Sequence, residues 1–147
     1  MNQYNILLLP GDGIGPEITA VTKKILEQVC KKDNFNLSFS EEKIGGSAIN
    51  STGIPLPDKT LEAAKESDAI LLAAIGSPEF DNLQRQLRPE SGLLGLRAGL
   101  DLFANIRPVK VFSSLIDSSS LKKEIIEDVD LVVVRELTSG IYFGQPK

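Results

Sequence analysis

An α/β fold with a largely parallel sheet and flanking helices is what this sequence predicts. Strand-length apolar runs alternate with segments of helical period along most of the chain. Ile6–Leu9 and Ala69–Ile75 are continuously apolar, the pattern of strands covered on both faces. The first of these runs stops at a glycine-rich turn, Gly11-Asp12-Gly13-Ile14-Gly15, from which a helix starts.

Each element follows in order. Tyr4–Pro10 reads as a buried strand. Pro16 suits the first turn of a helix, and Ile18, Val21, Ile25 and Val29 recur at its spacing. Asn36–Ile44 alternates as a second strand, and Gly45–Pro57, rich in Gly, Ser, Asn and Pro, reads as a loop. Asp58 is placed to cap a short helix ending near Ser67, before the strand Ala69–Ile75. A long loop runs over Gly76–Glu90. Ser91–Leu100 is helical in pattern, Phe103–Phe112 is extended with Pro108 inside it, and Leu121–Asp128 reads as a short helix. Leu131–Leu137 then reads as another buried strand and Ile141–Gly144 as a further extended segment. Neither a repeat nor a low-complexity segment interrupts this order.

The composition narrows the function. The chain has 147 residues, 41% of them hydrophobic, enough for about one packed domain. Its 16 basic and 20 acidic residues give a net charge of −4 without a basic stripe, which argues against nucleic acid as a partner. The first residues lack a signal-peptide pattern, and no apolar run approaches the ~20 residues of a membrane helix. A lone cysteine, Cys30, cannot form an internal disulfide, which fits a reducing cytoplasm. Histidine is absent, so Ser-His and Cys-His nucleophile pairs and imidazole metal sites are excluded, and acid-base work falls to carboxylates, Lys or Tyr.

Four features could carry chemistry. The turn Gly11–Pro16 invites comparison with the dinucleotide fingerprint G-x-G-x-x-G, but Pro16 occupies the position of its last glycine, so the fold is not a Rossmann fold. A tight turn that launches a helix is the better account of the glycines. Further on, Glu90, Leu93, Leu94 and Arg97 share one helix face, as a ligand with apolar and anionic parts would require or as a core stripe with an ion pair would. Arg107 and Arg135 lie in or at the end of apolar strands, where burying an unpaired guanidinium is costly. Together with Arg97 they could hold a small dicarboxylate by bidentate bonds, whereas Glu136 or another carboxylate would serve as a structural partner. Tyr142 could relay a proton beside a cation or simply pack. Glu124 and Asp128 share a face with neighbouring lysines and read as a solvated surface, so no metal site is assigned to this chain.

In their order, LLPGDGIGPEI (8–18), GGSAINSTGIPLP (45–57), RPESGLLGLRAGLDLFANIRPVKVF (88–112) and DLVVVRELTSGIYFG (130–144) resemble the β-decarboxylating isocitrate/isopropylmalate dehydrogenase family, most closely its isopropylmalate branch. The resemblance covers nearly the whole chain. It implies NAD-dependent oxidative decarboxylation of 3-isopropylmalate, a step of leucine biosynthesis, with Mg²⁺ or Mn²⁺ and in a homodimer. By the same resemblance Arg97, Arg107 and Arg135 bind the malate carboxylates and hydroxyl, Leu93 and Leu94 receive the isopropyl group, and Tyr142 is the acid-base group. The segment 77–90, with Ser77, Pro78, Glu79, Phe80, Asp81 and Glu90, approaches the nicotinamide half of NAD, and Ile14 its adenine side. Ser77, Glu79 and Phe80 stand where relatives often carry Gly, Lys and Trp.

The resemblance further implies that residues 1–102 form the amino-terminal part of a first, cofactor-side domain and 103–147 the start of a second, substrate and dimer domain. The family's catalytic lysine, metal-binding aspartates and most of its adenosine-binding segment come after the point matching Lys147. The expectation is therefore a cut-short chain, inactive by itself. The alternative is a stand-alone module that binds a small dicarboxylate or complements a separate second half without catalysis.

Overall fold

In the computed structural model, which describes residues 3–33 and 35–138, β1 (Gln3–Gly11) is the middle strand of a three-stranded parallel sheet. Its neighbours are β2 (Asn36–Glu41), in register from Gln3 opposite Asn36, and β3 (Ala69–Ala74), from Ile6 opposite Ala69. α1 (Gly15–Asp33) connects β1 to β2, and α2 (Gly46–Thr52) and α3 (Asp58–Glu66) connect β2 to β3. After β3 come short 3-10 turns at Pro78–Phe80 and Arg85–Leu87, then α4 (Pro89–Gly99).

The strand period of two divides β1 between two faces. Leu7 and Leu9 are fully buried and pack with Ile44, Ala64 and Leu96, with Leu56, Leu61, Ile70 and Leu72 around them. Leu8 takes the opposite face and is also buried. α4 turns Pro89, Gly92 and Leu96 inward, with Gly92 so close to Pro55 that a Cβ would come within 2.5 Å of its carbonyl oxygen.

The chain divides into two compact units, residues 1–100 and 101–147. In the second, β4 (Ala104–Lys110) pairs antiparallel with β5 (Asp130–Glu136), and a 3-10 stretch, Ser113–Ser118, and α5 (Lys123–Ile126) lie between them. Lys110 and Asp130 form an ion pair of 3.7 Å at one end of this ribbon. Pro108 is tolerated within β4, opposite Val132, because each strand of a two-stranded ribbon has a free edge. Ile116 and Ile126 are the unit's buried hydrophobic residues among those described.

Four expectations are corrected. The segment 45–57 is not all loop, since α2 forms within it. Its Gly- and Ser-rich sequence is a poor helix former, but its first N–H groups are satisfied by a carboxylate distant in sequence, Asp12. Pro57, not Asp58, precedes the first turn of α3. β3, whose continuous apolar run is the pattern of a central strand covered on both faces, is half-buried at the sheet edge among the described residues. Finally, β5 is not buried: Leu131, Val132, Val133 and Val134 are exposed, as are Ile18, Val21, Ile25 and Val29 of α1. Apolar patterning records where a face can be covered, and here both faces of the ribbon lack a covering layer among the described residues. The segment 141–144 lies outside the described residues.

Candidate functional site

The order β2-β1-β3 reverses the direction of chain progression at β1, since β2 is added on one side and β3 on the other. In open parallel sheets such a switch point leaves a crevice at the carboxyl ends of the strands, where ligands bind. A cleft of about 240 Å³ lies there. Gly11–Gly13 form its floor, the start of α2 one wall (Gly46, Ser47, Asn50), and the turn after β3 the other (Ser77, Glu79, Phe80). Its volume is smaller than the ~300–1,000 Å³ common for ligand pockets.

Close backbone approach shapes the cleft. Gly11 has φ +71°, and a Cβ there would stand 1.9 Å from the Ala74 carbonyl oxygen, so only glycine lets β1 and β3 end so near each other. Asp12, almost completely buried, donates its N–H to that same carbonyl at 2.8 Å. Its carboxylate accepts from the N–H groups of Gly46 at 2.9 Å, Ser47 at 2.8 Å and Gly76 at 2.9 Å. Gly46 lies under the Phe80 ring, where a Cβ would meet Cε2 at 2.3 Å. At the exposed rim, the Asn50 side-chain amide donates to Glu79 Oε1 at 3.1 Å. No Lys or Arg is among the described residues that line the cleft, and Asp12 and Glu79 make it acidic.

The nicotinamide-side candidates distribute as follows. Ser77 is half-buried in the cleft wall, Glu79 is exposed at the rim, and Pro78 and Asp81 are exposed beside it. Phe80 is buried, and its contact with Gly46 makes it a packing residue of the wall. Glu90, exposed in the first turn of α4, stands close enough to Gly76 that a Cβ there would meet its Oε1 at 3.0 Å. Ile14, 56% exposed, sits just outside the cleft at the start of α1. Asp12 is the residue that sequence reasoning missed. A charged side chain inside a glycine-rich turn is the available signal, but neither a dinucleotide fingerprint nor a helix-launching turn assigns that side chain a partner.

The substrate-side candidates lie in both units. On α4 the face bearing Glu90, Leu93, Leu94 and Arg97 is distinct from the core face of Pro89, Gly92 and Leu96; Leu94 is exposed, and Leu93 and Arg97 are half-buried. Arg107 and Arg135 belong to the second unit. The register pairs Asn105 with Arg135 and Arg107 with Val133, so both arginines occupy one face of the ribbon at diagonal positions. Arg107 Nε donates to Asn105 Oδ1 at 2.9 Å. Both arginines are exposed, so the cost of burying a guanidinium in an apolar strand, expected from their flanking valines, does not arise. Tyr142 lies outside the described residues.

Two groups implied by the resemblance meet different settings. For NAD, the switch-point cleft has the size and position for a fragment of the dinucleotide, with Ser77, Asn50 and Glu79 offering polar atoms. For a divalent metal, the described residues hold no group of three or more His, Cys, Asp or Glu that could ligate it. No helix among the described residues is long and apolar enough to cross a membrane.

Known proteins resemble this chain along nearly its whole length. A 3-isopropylmalate dehydrogenase of Synechococcus sp. (strain CC9605) is 67% identical over 147 residues, all of this chain, and one of Prochlorococcus marinus (strain NATL2A) is 65% identical over the same length. In both cases the chain spans 41% of the relative's length. Among solved structures, isocitrate dehydrogenase from Methylococcus capsulatus superposes with a TM-score of 0.74 at 30% identity, covering 95% of this chain and 36% of that one. A β-decarboxylating dehydrogenase from Thermococcus kodakarensis, in its apo form, gives 0.68 at 30% identity, covering 96% and 36%. The sequence profile described as isocitrate/isopropylmalate dehydrogenase matches residues 5–147, and with the parallel sheet, its switch-point cleft and these likenesses it shows that the chain belongs to the isocitrate/isopropylmalate dehydrogenase family.

Proposed function

We propose that this chain supplies the nicotinamide-side cleft and the substrate-anion residues of a 3-isopropylmalate dehydrogenase, which converts 3-isopropylmalate to 2-oxoisocaproate by NAD-dependent oxidative decarboxylation in leucine biosynthesis. The observation that carries the reading is the cleft at the β1/β3 switch point, within a chain 67% identical throughout to an enzyme of that name. When bound, NAD supplies the acceptor for the hydride leaving C2 of the hydroxy acid. Ser77, Pro78, Glu79, Asp81 and Glu90 border the nicotinamide half, with Phe80 fixing the wall behind them and Ile14 toward the adenine side.

Arg97, Arg107 and Arg135 hold the two carboxylates and the hydroxyl through charge-assisted bonds, each worth roughly 1.5–3 kcal/mol net. Leu93 and Leu94 accept the isopropyl group, and their apolar surface disfavours a third carboxylate at that position. Tyr142 moves the proton. Mg²⁺ or Mn²⁺ belongs to the same reading, although the described residues offer no ligand cluster for it. The cytoplasm and a homodimer complete the proposal.

The 147 residues by themselves are proposed to be inactive. NADH formation from 3-isopropylmalate, NAD and Mg²⁺ tests this: absorbance stays flat with the chain alone and rises when the remaining carboxy-terminal segment of a relative is supplied. Turnover by the chain alone would overturn the claim of inactivity. Arg107 and Arg135 on one ribbon face favour a second reading, a dicarboxylate-binding module without catalysis. It predicts calorimetric heat with 3-isopropylmalate that is lost in Arg135→Gln, and no rise in NADH under either condition.

A further inference from the structure

The glycine-rich turn at the end of β1 is not a phosphate cradle, and the reason points to a role for Asp12. Three backbone N–H groups, from Gly46, Ser47 and Gly76, converge on one spot, as such groups do around a bound anion. The anion at that spot is the chain's own carboxylate. Asp12 is only 6% exposed, and each of its oxygens is engaged, Oδ1 by Ser47 and Oδ2 by Gly46 and Gly76. The donors come from opposite walls of the cleft, because Gly46 and Ser47 begin α2 whereas Gly76 leads into Ser77 and Glu79.

We propose that Asp12 is a positioning residue that sets the separation of the two cleft walls and closes the cleft floor to a ligand's phosphate. Its carboxylate is a fixed brace between 46–50 and 76–80. With the N–H groups consumed and no Lys or Arg among the described lining residues, the floor accepts an uncharged or cationic ring and rejects an anion. A Cβ on Gly45 would lie 2.6 Å from Asp12 Oδ2 and one on Gly46 3.0 Å from Oδ1, so the glycines there make room for the brace. The consequence for ligand orientation rests on the proposed nicotinamide role of this cleft; the brace itself does not.

The test uses the 147-residue chain and its amide NMR spectrum. Without ligand, Asp12→Asn keeps the size of the side chain but turns an N–H₂ group toward backbone donors. Hydrogen exchange at Gly46, Ser47 and Gly76 is expected to accelerate about tenfold or more, the scale of one lost charge-assisted bond, while the Leu7 and Leu9 amides keep their protection. Asp12→Ala should lose the same protection and regain it with added formate, a carboxylate small enough to enter the vacated space. Inorganic phosphate should leave these three signals unmoved in the wild type. With NADH, signals of Asn50 and Ser77 should shift in the wild type, and Asp12→Asn should need several-fold more NADH.

Unchanged exchange at the three amides in Asp12→Asn overturns the brace, as does wild-type binding of phosphate at them. Equal NADH affinity in wild type and a folded Asp12→Asn overturns the positioning role. Failure of NADH to move any wild-type cleft signal instead overturns the nicotinamide reading, and is distinguished from failure of the brace by the ligand-free exchange data.

Discussion

Asn50 and Glu79, 29 positions apart, are joined side chain to side chain at 3.1 Å, linking α2 to the turn after β3 at the rim of the cleft. The bond is exposed, so its net contribution to stability is small, but it fixes where the Glu79 charge sits. Glu79→Lys should therefore leave the unfolding free energy within about 0.5 kcal/mol of wild type. NADH binding should tighten and become more sensitive to salt, because a cation replaces an anion beside a ligand carrying two phosphates. Fluorescence titration at low and high salt measures both effects, and an unchanged affinity would place Glu79 away from the dinucleotide.

Gly46 has no room for a side chain. Gly46→Ala should destabilise the first unit by about 1–3 kcal/mol, the usual cost of overpacking, because the new methyl meets the Phe80 ring. Phe80→Leu in the same chain should recover at least about 0.5 kcal/mol, as coupled neighbours do. Urea unfolding of the two single variants and the double variant closes this cycle. Strict additivity would show that Phe80 is not what Gly46 accommodates.

Position within the fold, not hydrophobicity, should decide the cost of truncation. Leu9 is fully buried between neighbours, so Leu9→Ala should lose about 2–5 kcal/mol. Ile25 is 58% exposed on α1, and Ile25→Ala should stay within about 0.5 kcal/mol of wild type. Equal losses in urea titrations would mean that α1 is covered in solution.

The ribbon β4–β5 should be the less protected sheet. Two strands with exposed valines are marginal without a covering layer. Amides of Ile106 and Val134 should exchange well before those of Leu7 and Leu8, measured in one hydrogen-exchange experiment on the whole chain. Comparable protection in both sheets would show that the ribbon's faces are buried in solution.

Local chemistry explains what was legible in the sequence. β1, α1 and α4 could be read because their periodicity, and Pro16 in the first turn of α1, speak within a few residues, although α4 starts at Pro89, two residues before the pattern shows it. The ligand-side residues after β3 came from resemblance, and the structure adds that Phe80 is packing while Ser77 and Glu79 face the cleft. α2 was read as loop because the carboxylate that accepts its first N–H groups lies 34 positions upstream, beyond any local window. Exposure of Arg107, Arg135 and the β5 valines was illegible for a related reason. An apolar run shows that a strand is suited to burial, but not which layer covers it.

The bonds of Asp12 also bear on how this chain becomes a folded protein. They join residues separated by 34, 35 and 64 positions, so the cleft is among the least local parts of the first unit. Loop closure over such distances must precede any reward from the contact, which places these bonds late in folding. During synthesis α1 can form once it emerges and β1 can pair once β2 follows, yet the cleft has no second wall until residue 76 has been made and β3 has docked. A molecule that binds the cleft therefore distinguishes a finished first unit from its folding intermediates, and can serve as a reporter of the final step.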